Sequence, residues 1–175
     1  GYPDGFKMTI HGPNDRYIND AKIAEALAQM LNRVGIEASV ETMPKAVYFK
    51  RASRGGPDKS PEFSFMLLGW GAGSGEASSP LKALLHTYDK SKGLGAANRG
   101  RHSDAEVDKL VKQALATVDA DARGALLAKA TEKAVGENYG VIPMHYQVNT
   151  WAAKAGYKYL PRTDERTIVT GLSNN

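Results

Sequence analysis

The chain has 175 residues, no cysteine, and 23 Lys and Arg against 19 Asp and Glu, a formal net charge of +4. That length suits one well-buried domain, and the absence of cysteine excludes disulfides and thiolate chemistry without fixing the compartment. The bases are scattered among acids, which argues against nucleic acid as a partner, and no stretch reaches the ~18 consecutive apolar residues of a membrane helix.

The opening residues, GYPDGF, carry no basic segment followed by an apolar one, so the sequence reads as a soluble chain, already mature or truncated. Phe6, Met8 and Ile10 alternate with Lys7 and Thr9, the period of a strand with one buried face, and Gly12 and Pro13 break it. Asn19 is placed to cap a helix whose Ile23, Leu27, Met30, Leu31 and Val34 recur at helical spacing, with Gly35 as the stop. Ile36, Ala38 and Val40 alternate as a second strand, and Pro44 opens a short helix through Val47, Tyr48 and Arg51. Residues 53–62, SRGGPDKSPE, read as an exposed turn. Phe63 to Leu68 are apolar at nearly every position, which suits a strand covered on both faces. With right-handed crossovers, this order gives a parallel sheet whose three carboxyl ends share one rim.

From Gly69 to Ser79 come four glycines, three serines, two alanines, one tryptophan and one carboxylate, a stretch with little apolar mass and unusual backbone freedom. A loop at the carboxyl end of a buried strand is where open α/β sheets place a ligand, though an ordinary flexible connection has the same composition. Trp70, alone among very small residues, is either an anchor into the core or a flat surface for a ligand. Pro80 to His86 form one short helix, and Asp89 to His102 are loop-like, with Arg99, Gly100 and Arg101 as a basic trio. Ser103 with Glu106 makes a capping box before Val107, Leu110, Val111, Ala114, Leu115 and Val118. A second helix runs from about Asp121 through Leu126, Leu127, Ala130 and Ala134 to Gly136, and the pair is expected to pack against the sheet. Val141, Ile142 and Met144, then Val148 and Trp151, read as two short strands, with Pro143 placing the first at an edge or a strand start. The last stretch, about 156–175, reads as an irregular tail that wraps over the surface or makes contacts outside this chain.

Catalytic and metal chemistry find little support. His11, His86, His102 and His145 fall at no metal-binding spacing, so neither a metal nor another cofactor is expected. Ser74 stands in AGSG, but a nucleophile elbow needs glycine two residues before the serine, and position 72 is Ala. The glycine run also lacks the register of a dinucleotide fingerprint and its acidic residue, so phosphate binding is not expected.

Several phrases are more specific together than apart: GYPDGF before a strand, NDAKIAEALAQMLNRVGIEASV, the pair Gly69 and Trp70, HSDAEVDKLVKQAL and VIPMHYQVNTWAA. In that order, over nearly the whole chain, they resemble the second lobe of the extracytoplasmic solute-binding proteins of ABC importers, family 5, the peptide, nickel and opine group. The resemblance implies an α/β fold, a periplasmic binding protein type II-like lobe with a central, mainly parallel sheet flanked by helices. It implies that residues 1–175 are a single domain, the C-terminal lobe of a two-lobe protein, and that this protein is not an enzyme. It further implies a peptide or peptide-like solute captured in the periplasm, with the N-terminal lobe and an inner-membrane ABC permease as partners.

In that family the loop after the Gly-Trp pair lines the cleft, and peptide-binding members carry there an aspartate for the ligand's ammonium group. The matching position here is Gly73, which cannot make that charge-assisted contact, and Glu76 is the only acid in the loop. The ligand-binding residues expected are therefore Trp70, Gly71, Gly73, Ser74, Glu76, Asn98 and Tyr146, an aromatic wall with a few convergent polar groups. Tyr146 also fits a half-buried core position, and Arg51 a solvated charge. Two rival readings are a small serine hydrolase using Ser74, which needs a histidine base in reach, and a protein-interaction domain without a small ligand.

Overall fold

In the computed structural model the alternation of the first strand becomes a two-faced sheet. β1 (Lys7–Pro13) and β2 (Glu37–Met43) pair in parallel, Lys7 opposite Glu37 and Pro13 opposite Met43. The crossover is α1 (Asp20–Arg33). Met8, Ile10, Ala38 and Val40 point to the α1 side, where Ile10, Ala24 and Ala28 form a buried cluster with Leu27, Leu31 and Phe65 around it. The opposite face carries three complementary pairs in register: Lys7 Nζ to Glu37 at 3.0 Å, Thr9 Oγ1 to Ser39 Oγ at 2.9 Å, and His11 Nε2 to Glu41 at 3.3 Å. The structure describes every residue except Thr163, Glu165 and Asn175. The chain divides into two units, Gly1–Ile142 and Pro143–Asn175.

The start of α1 differs from the expected cap. Asn19 takes a left-handed backbone (φ 57°) and its side chain caps nothing. Asp20, buried, does the fastening instead, accepting from the N–H groups of Arg16, Tyr17 and Ala21 at 2.9, 3.0 and 2.9 Å. At the far end Gly35 takes φ +87°, the stop read from the sequence.

Helix α2 (Lys45–Arg54) follows Pro44, and its first N–H, on Lys45, donates to Asp15 Oδ1 at 2.6 Å. Its Tyr48 is fully buried against Met43, Ala52 and Phe63. Residues 63–68 lie along β1 in parallel, so the order is β2, β1, then this segment, as the crossovers require. The pairing is one rung long: His11 N donates to Phe65 O at 3.0 Å, Leu67 N donates to His11 O at 2.8 Å, and the single bridge joins His11 and Met66. Nor is the segment covered on both faces. Phe63 and Leu67 are buried, but Ser64 is exposed, and a shallow groove of about 650 Å³ runs over the polar face past Lys7, Thr9, Ser39, Glu62 and Ser64. Phe63 is buried locally, its ring stacked at 4.1 Å on His11 and 5.0 Å below the Arg51 guanidinium carbon. Arg51 is no free surface charge, since it bridges Glu41 and Glu62.

The helical layer has a core of its own. α3 (Ser78–Pro80) runs on as a π-type turn, Leu81–Leu85; α4 spans Ala105–Ala116, and α5 spans Ala120–Thr131 before a second π-type turn to Glu137. Leu81, Leu85, Val107, Val111, Ala114, Leu127, Ala130 and Ala134 form one buried cluster. The helix pair was expected on the sheet. It packs instead on residues 78–85, because the stripe of each helix is filled by the other and by Leu81 and Leu85. Its cap also differs: Asp104 Oδ1, not Ser103, accepts from Glu106 N and Val107 N, both at 2.9 Å, and the Val107 bond first, then that from Asn138 Nδ2, hold the Asp104 carboxyl below its ordinary range.

In the second unit, β3 (Tyr157–Tyr159) pairs antiparallel with β4 (Leu172–Asn174). Trp151 lies 5.6 Å from the Tyr159 ring and donates from Nε1 to Thr167 Oγ1 at 2.8 Å. The stretch expected to be an irregular tail thus holds a short hairpin; its residues Thr163, Glu165 and Asn175 lie outside the described residues. The strands expected at 141–144 and 148–151 are not formed among the described residues. Their apolar alternation is present, but their backbone groups have no neighbouring strand to pair with, and Ile142 and Val148 are exposed.

Candidate functional site

Two tyrosines from different parts of the chain fix the point where residues 63–68 end. Tyr48 OH donates to Leu67 O at 2.6 Å, and Tyr17 OH donates to Gly69 O at 3.2 Å. Burial holds the Tyr48 hydroxyl protonated, pushing its pKa well above the ordinary value. Tyr17 lies so close over Gly69 that a Cβ there would stand 2.7 Å from Cε1 of the ring, which only glycine avoids. Trp70 follows immediately, 44 % exposed as a residue, its Nε1 donating to Ser79 Oγ at 3.3 Å. The loop is thus tied at both ends. At its tip Gly75 N donates to Ala72 O at 2.9 Å, with Gly75 at φ +75°. A Cβ placed on Gly71 or Gly73 would meet nothing within 4 Å, so the tip stands open.

Glu76 does not face this opening as a free acid. Arg123 of α5 grips it with two bonds, Nε to Oε2 at 2.8 Å and Nη2 to Oε1 at 2.9 Å. Ser78 Oγ donates to the same carboxylate. The Arg123 bonds above all, then that from Ser78, draw the Glu76 pKa down to about 2. Glu76 therefore closes the loop onto the helical layer. Among the described residues no histidine hydrogen-bonds Ser74; His11 turns to Glu41, while His86 and His102 bond the carbonyls of Thr87 and Leu85.

Asn98 is buried at 3 % exposure and its amide is fully engaged. Nδ2 donates to His86 O at 3.0 Å and to His102 O at 2.7 Å, and Oδ1 accepts from His102 N at 2.9 Å. It staples the loop before α4. Tyr146 lies in the second unit and is 98 % exposed as a residue, not the half-buried core position it also fitted. The structure thus brings Trp70, Gly71, Gly73, Ser74 and Glu76 into one loop and sets Asn98 to a fastening task. Among the described residues no group of three or more His, Asp or Glu could hold a metal ion.

The sequence profile described as bacterial extracellular solute-binding proteins, family 5 Middle, matches residues 1–92, just over half of the chain. The chain belongs to family 5 of the bacterial extracellular solute-binding proteins. Di/tripeptide-binding protein 1 of Pseudomonas aeruginosa is 33% identical over 133 residues, which cover 74% of this chain and 23% of that protein. Among solved structures, the periplasmic binding protein DppA of Helicobacter pylori in complex with the peptide STSA is 26% identical at a TM-score of 0.62, over 75% of this chain and 24% of its own. OppA of Haemophilus influenzae in complex with RPPGFSPFR is 25% identical at a TM-score of 0.69, over 90% of this chain and 28% of its own. HbpA2 of Haemophilus parasuis, 21% identical, matches 99% of this chain and 33% of its own at a TM-score of 0.76, a likeness of fold. The fold is the α/β, type II periplasmic-binding-protein kind, and the chain spans about a quarter of the length of the curated relative.

Two positioning residues escaped the sequence reading. Tyr17 and Tyr48 reach the rim from before α1 and from within α2, and only the packed structure shows that both hydroxyls converge on the end of one segment. Tyr48 carried a signal, a polar-tipped ring in the apolar stripe of a short helix, since a buried phenol needs a partner. Tyr17 carried none.

Proposed function

We propose that this chain forms the second lobe of a two-lobe solute-binding protein, which captures a peptide or peptide-like solute in the periplasm and delivers it to an inner-membrane ABC permease. The observation that carries the reading is the half-exposed indole of Trp70 beside an open, glycine-built loop tip, at the carboxyl rim of a parallel sheet in a family 5 chain. Such a rim offers a solute one wall: a flat aromatic face and loop backbone, with the neighbouring carbonyls fixed by Tyr17 and Tyr48. One wall alone leaves the other side of the solute in water, so a partner lobe must close over it for the contacts to repay lost freedom. A binding role fits the relatives, which are named as binding proteins. It also fits Ser74, to which no histidine is hydrogen-bonded among the described residues.

The test is calorimetry with di-, tri- and longer peptides on the two-lobe protein and on residues 1–175 alone. Peptide binding by the two-lobe protein and none of comparable strength by the 175-residue chain is expected. Equal affinity for both would overturn the shared site, and a two-lobe protein that binds no peptide would overturn the solute class.

A further inference from the structure

Residues 63–68 carry the rim, yet the sheet holds them weakly. Among the described residues one bridge, His11 to Met66, joins them to β1, so their position depends on what grips their two ends. Helix α2 grips both. Its Tyr48 hydroxyl holds Leu67 O at the end where the glycine loop begins, and Arg51, three residues further along the same face of the helix, holds the start. Arg51 Nε donates to both carboxylate oxygens of Glu62 at 3.0 Å, and Nη1 donates to Glu41 Oε1 of β2 at 2.6 Å. The same guanidinium carbon lies 5.0 Å from the centroid of the ring of Phe63, the next residue, and that ring stacks on His11 at 4.1 Å. The backbone leaves room for the contact: a Cβ on Gly55, at the end of α2, would stand 2.1 Å from Glu62 Oε2 and 2.7 Å from Arg51 Cα. One side chain thus ties α2, β2 and the start of the segment into one register. The Arg51, Glu41 and Glu62 side chains stay 33, 47 and 30 % exposed, so these ion pairs add little to global stability. A forked guanidinium on a carboxylate fixes direction as well as distance, and geometry is what the cluster supplies.

We propose that Arg51 is a positioning residue for solute binding: by fixing where residues 63–68 begin, it fixes where Gly69, Trp70 and the open loop tip stand. The inference rests on the reading of the glycine loop as one wall of a solute site. Arg51 acts through the segment and not on the solute, because its guanidinium is taken up by Glu41 and Glu62. Phe63 and Leu67 are both buried, so a shift at the start of the segment carries to its end instead of being absorbed between them. Tyr48 and Arg51 then make α2 the element that sets the rim, one from each end of the segment.

The experiment places Arg51→Gln, Arg51→Lys and Gly55→Ala in the two-lobe protein and measures affinity for Met-Leu by calorimetry beside amide hydrogen exchange. In Arg51→Gln the affinity should fall about three- to thirtyfold, the reach of a substitution that acts through packed contacts. Exchange of the Leu67 N–H, which donates to His11 O, should quicken, while the amides of α4 and α5 keep their rates. Arg51→Lys, an ammonium in place of a fork, should fall between the two. Gly55→Ala leaves every charge in place and crowds Glu62, and it should act in the same direction as Arg51→Gln. Unchanged affinity in Arg51→Gln overturns the inference, whatever the exchange rates do, and leaves the solute-binding reading standing. A loss of affinity in which the α4 and α5 amides quicken as much as Leu67 overturns it too, since that marks general destabilisation. Failure of the unmodified protein to bind any peptide overturns the functional reading and this inference with it.

Discussion

Leu81, Leu85, Val107, Val111, Ala114, Leu127, Ala130 and Ala134 fill the helical core with aliphatic groups alone, whereas Met43, Tyr48, Ala52 and Phe63 fill the core beneath the strand ends largely with rings and a thioether. Aliphatic packing is non-directional: it fixes that the helices meet, and it tolerates small shifts in how they do so. The aromatic core is threaded by directional contacts, the Tyr48 hydroxyl on Leu67 O, the His11 ring on Phe63, and Arg51 across Glu41 and Glu62. Those contacts specify where individual carbonyls and rings stand. The region that needs only stability is built from the first kind of packing, and the region that must hold a rim in position from the second.

Truncating each core should separate the two roles. Leu81→Ala removes a side chain that is 2 % exposed, at a cost of about 2–5 kcal/mol in unfolding free energy by denaturant titration, with solute affinity unchanged wherever the variant is folded. Tyr48→Phe keeps the ring and strands the Leu67 carbonyl, at a cost of about 1–2 kcal/mol, yet it should weaken solute binding because the loop start loses its tether. If Leu81→Ala alters affinity more than Tyr48→Phe does, the division of labour between the cores is wrong.

The same division explains which parts of the fold were legible in the sequence. Period alone marks an aliphatic stripe, so α1, α4, α5 and the two paired strands stand close to where alternation and helical spacing put them. Local chemistry decided the caps, and there the pattern misled. Asp20 and Asp104 took the roles assigned to Asn19 and Ser103, since an aspartate one residue on offers a charged acceptor to several N–H groups. Pairings across the chain left no trace in any window: Glu76 meets Arg123 from 47 residues away, and Arg99 meets Ser53 from 46. The glycine-rich loop is legible in the sequence, but not that the run before it pairs with β1 through a single bridge instead of forming a third strand, nor the neutralisation of its acid. The apolar run 63–68 overstated its burial because it carries no sign of which face lies open.

The Glu76 knot joins the two regions, and its effect on stability should be smaller than either truncation and visible chiefly in its pH dependence. Its carboxyl has a pKa of about 2 in the folded chain against an ordinary value of 4.5, so the stabilisation is fully present above about pH 4.5 and is lost as pH falls toward 2. Glu76→Gln should therefore melt below the wild type at pH 7, and the gap should close between about pH 4.5 and 2, where the native glutamate becomes neutral too. Thermal melts of both proteins across that window measure it. A gap that stays constant down to pH 2 would mean that Arg123 does not act through the ionised form.

The smallest effect on stability, and the most informative for the rim, is expected at Gly73. Its Cβ position is open for 4 Å around and its backbone lies outside the left-handed region, so Gly73→Asp should change unfolding free energy by no more than about 0.5 kcal/mol. The family resemblance places at this position an aspartate that receives a ligand ammonium, and the substitution would supply that acid three residues from Trp70. The unmodified protein should then bind free and N-acetylated Met-Leu with similar affinity, because Glu76, the acid nearest to hand, is already gripped by Arg123 and Ser78. Gly73→Asp should shift that comparison toward the free amine by about tenfold or more, the worth of a charge-assisted bond in a closed cleft. Should the unmodified protein already prefer the free amine, repeating the comparison in Glu76→Gln locates the acid responsible. A preference that disappears means Glu76 leaves Arg123 when the solute binds, and one that persists means the opposing lobe holds the amine, with this lobe left to read the other end.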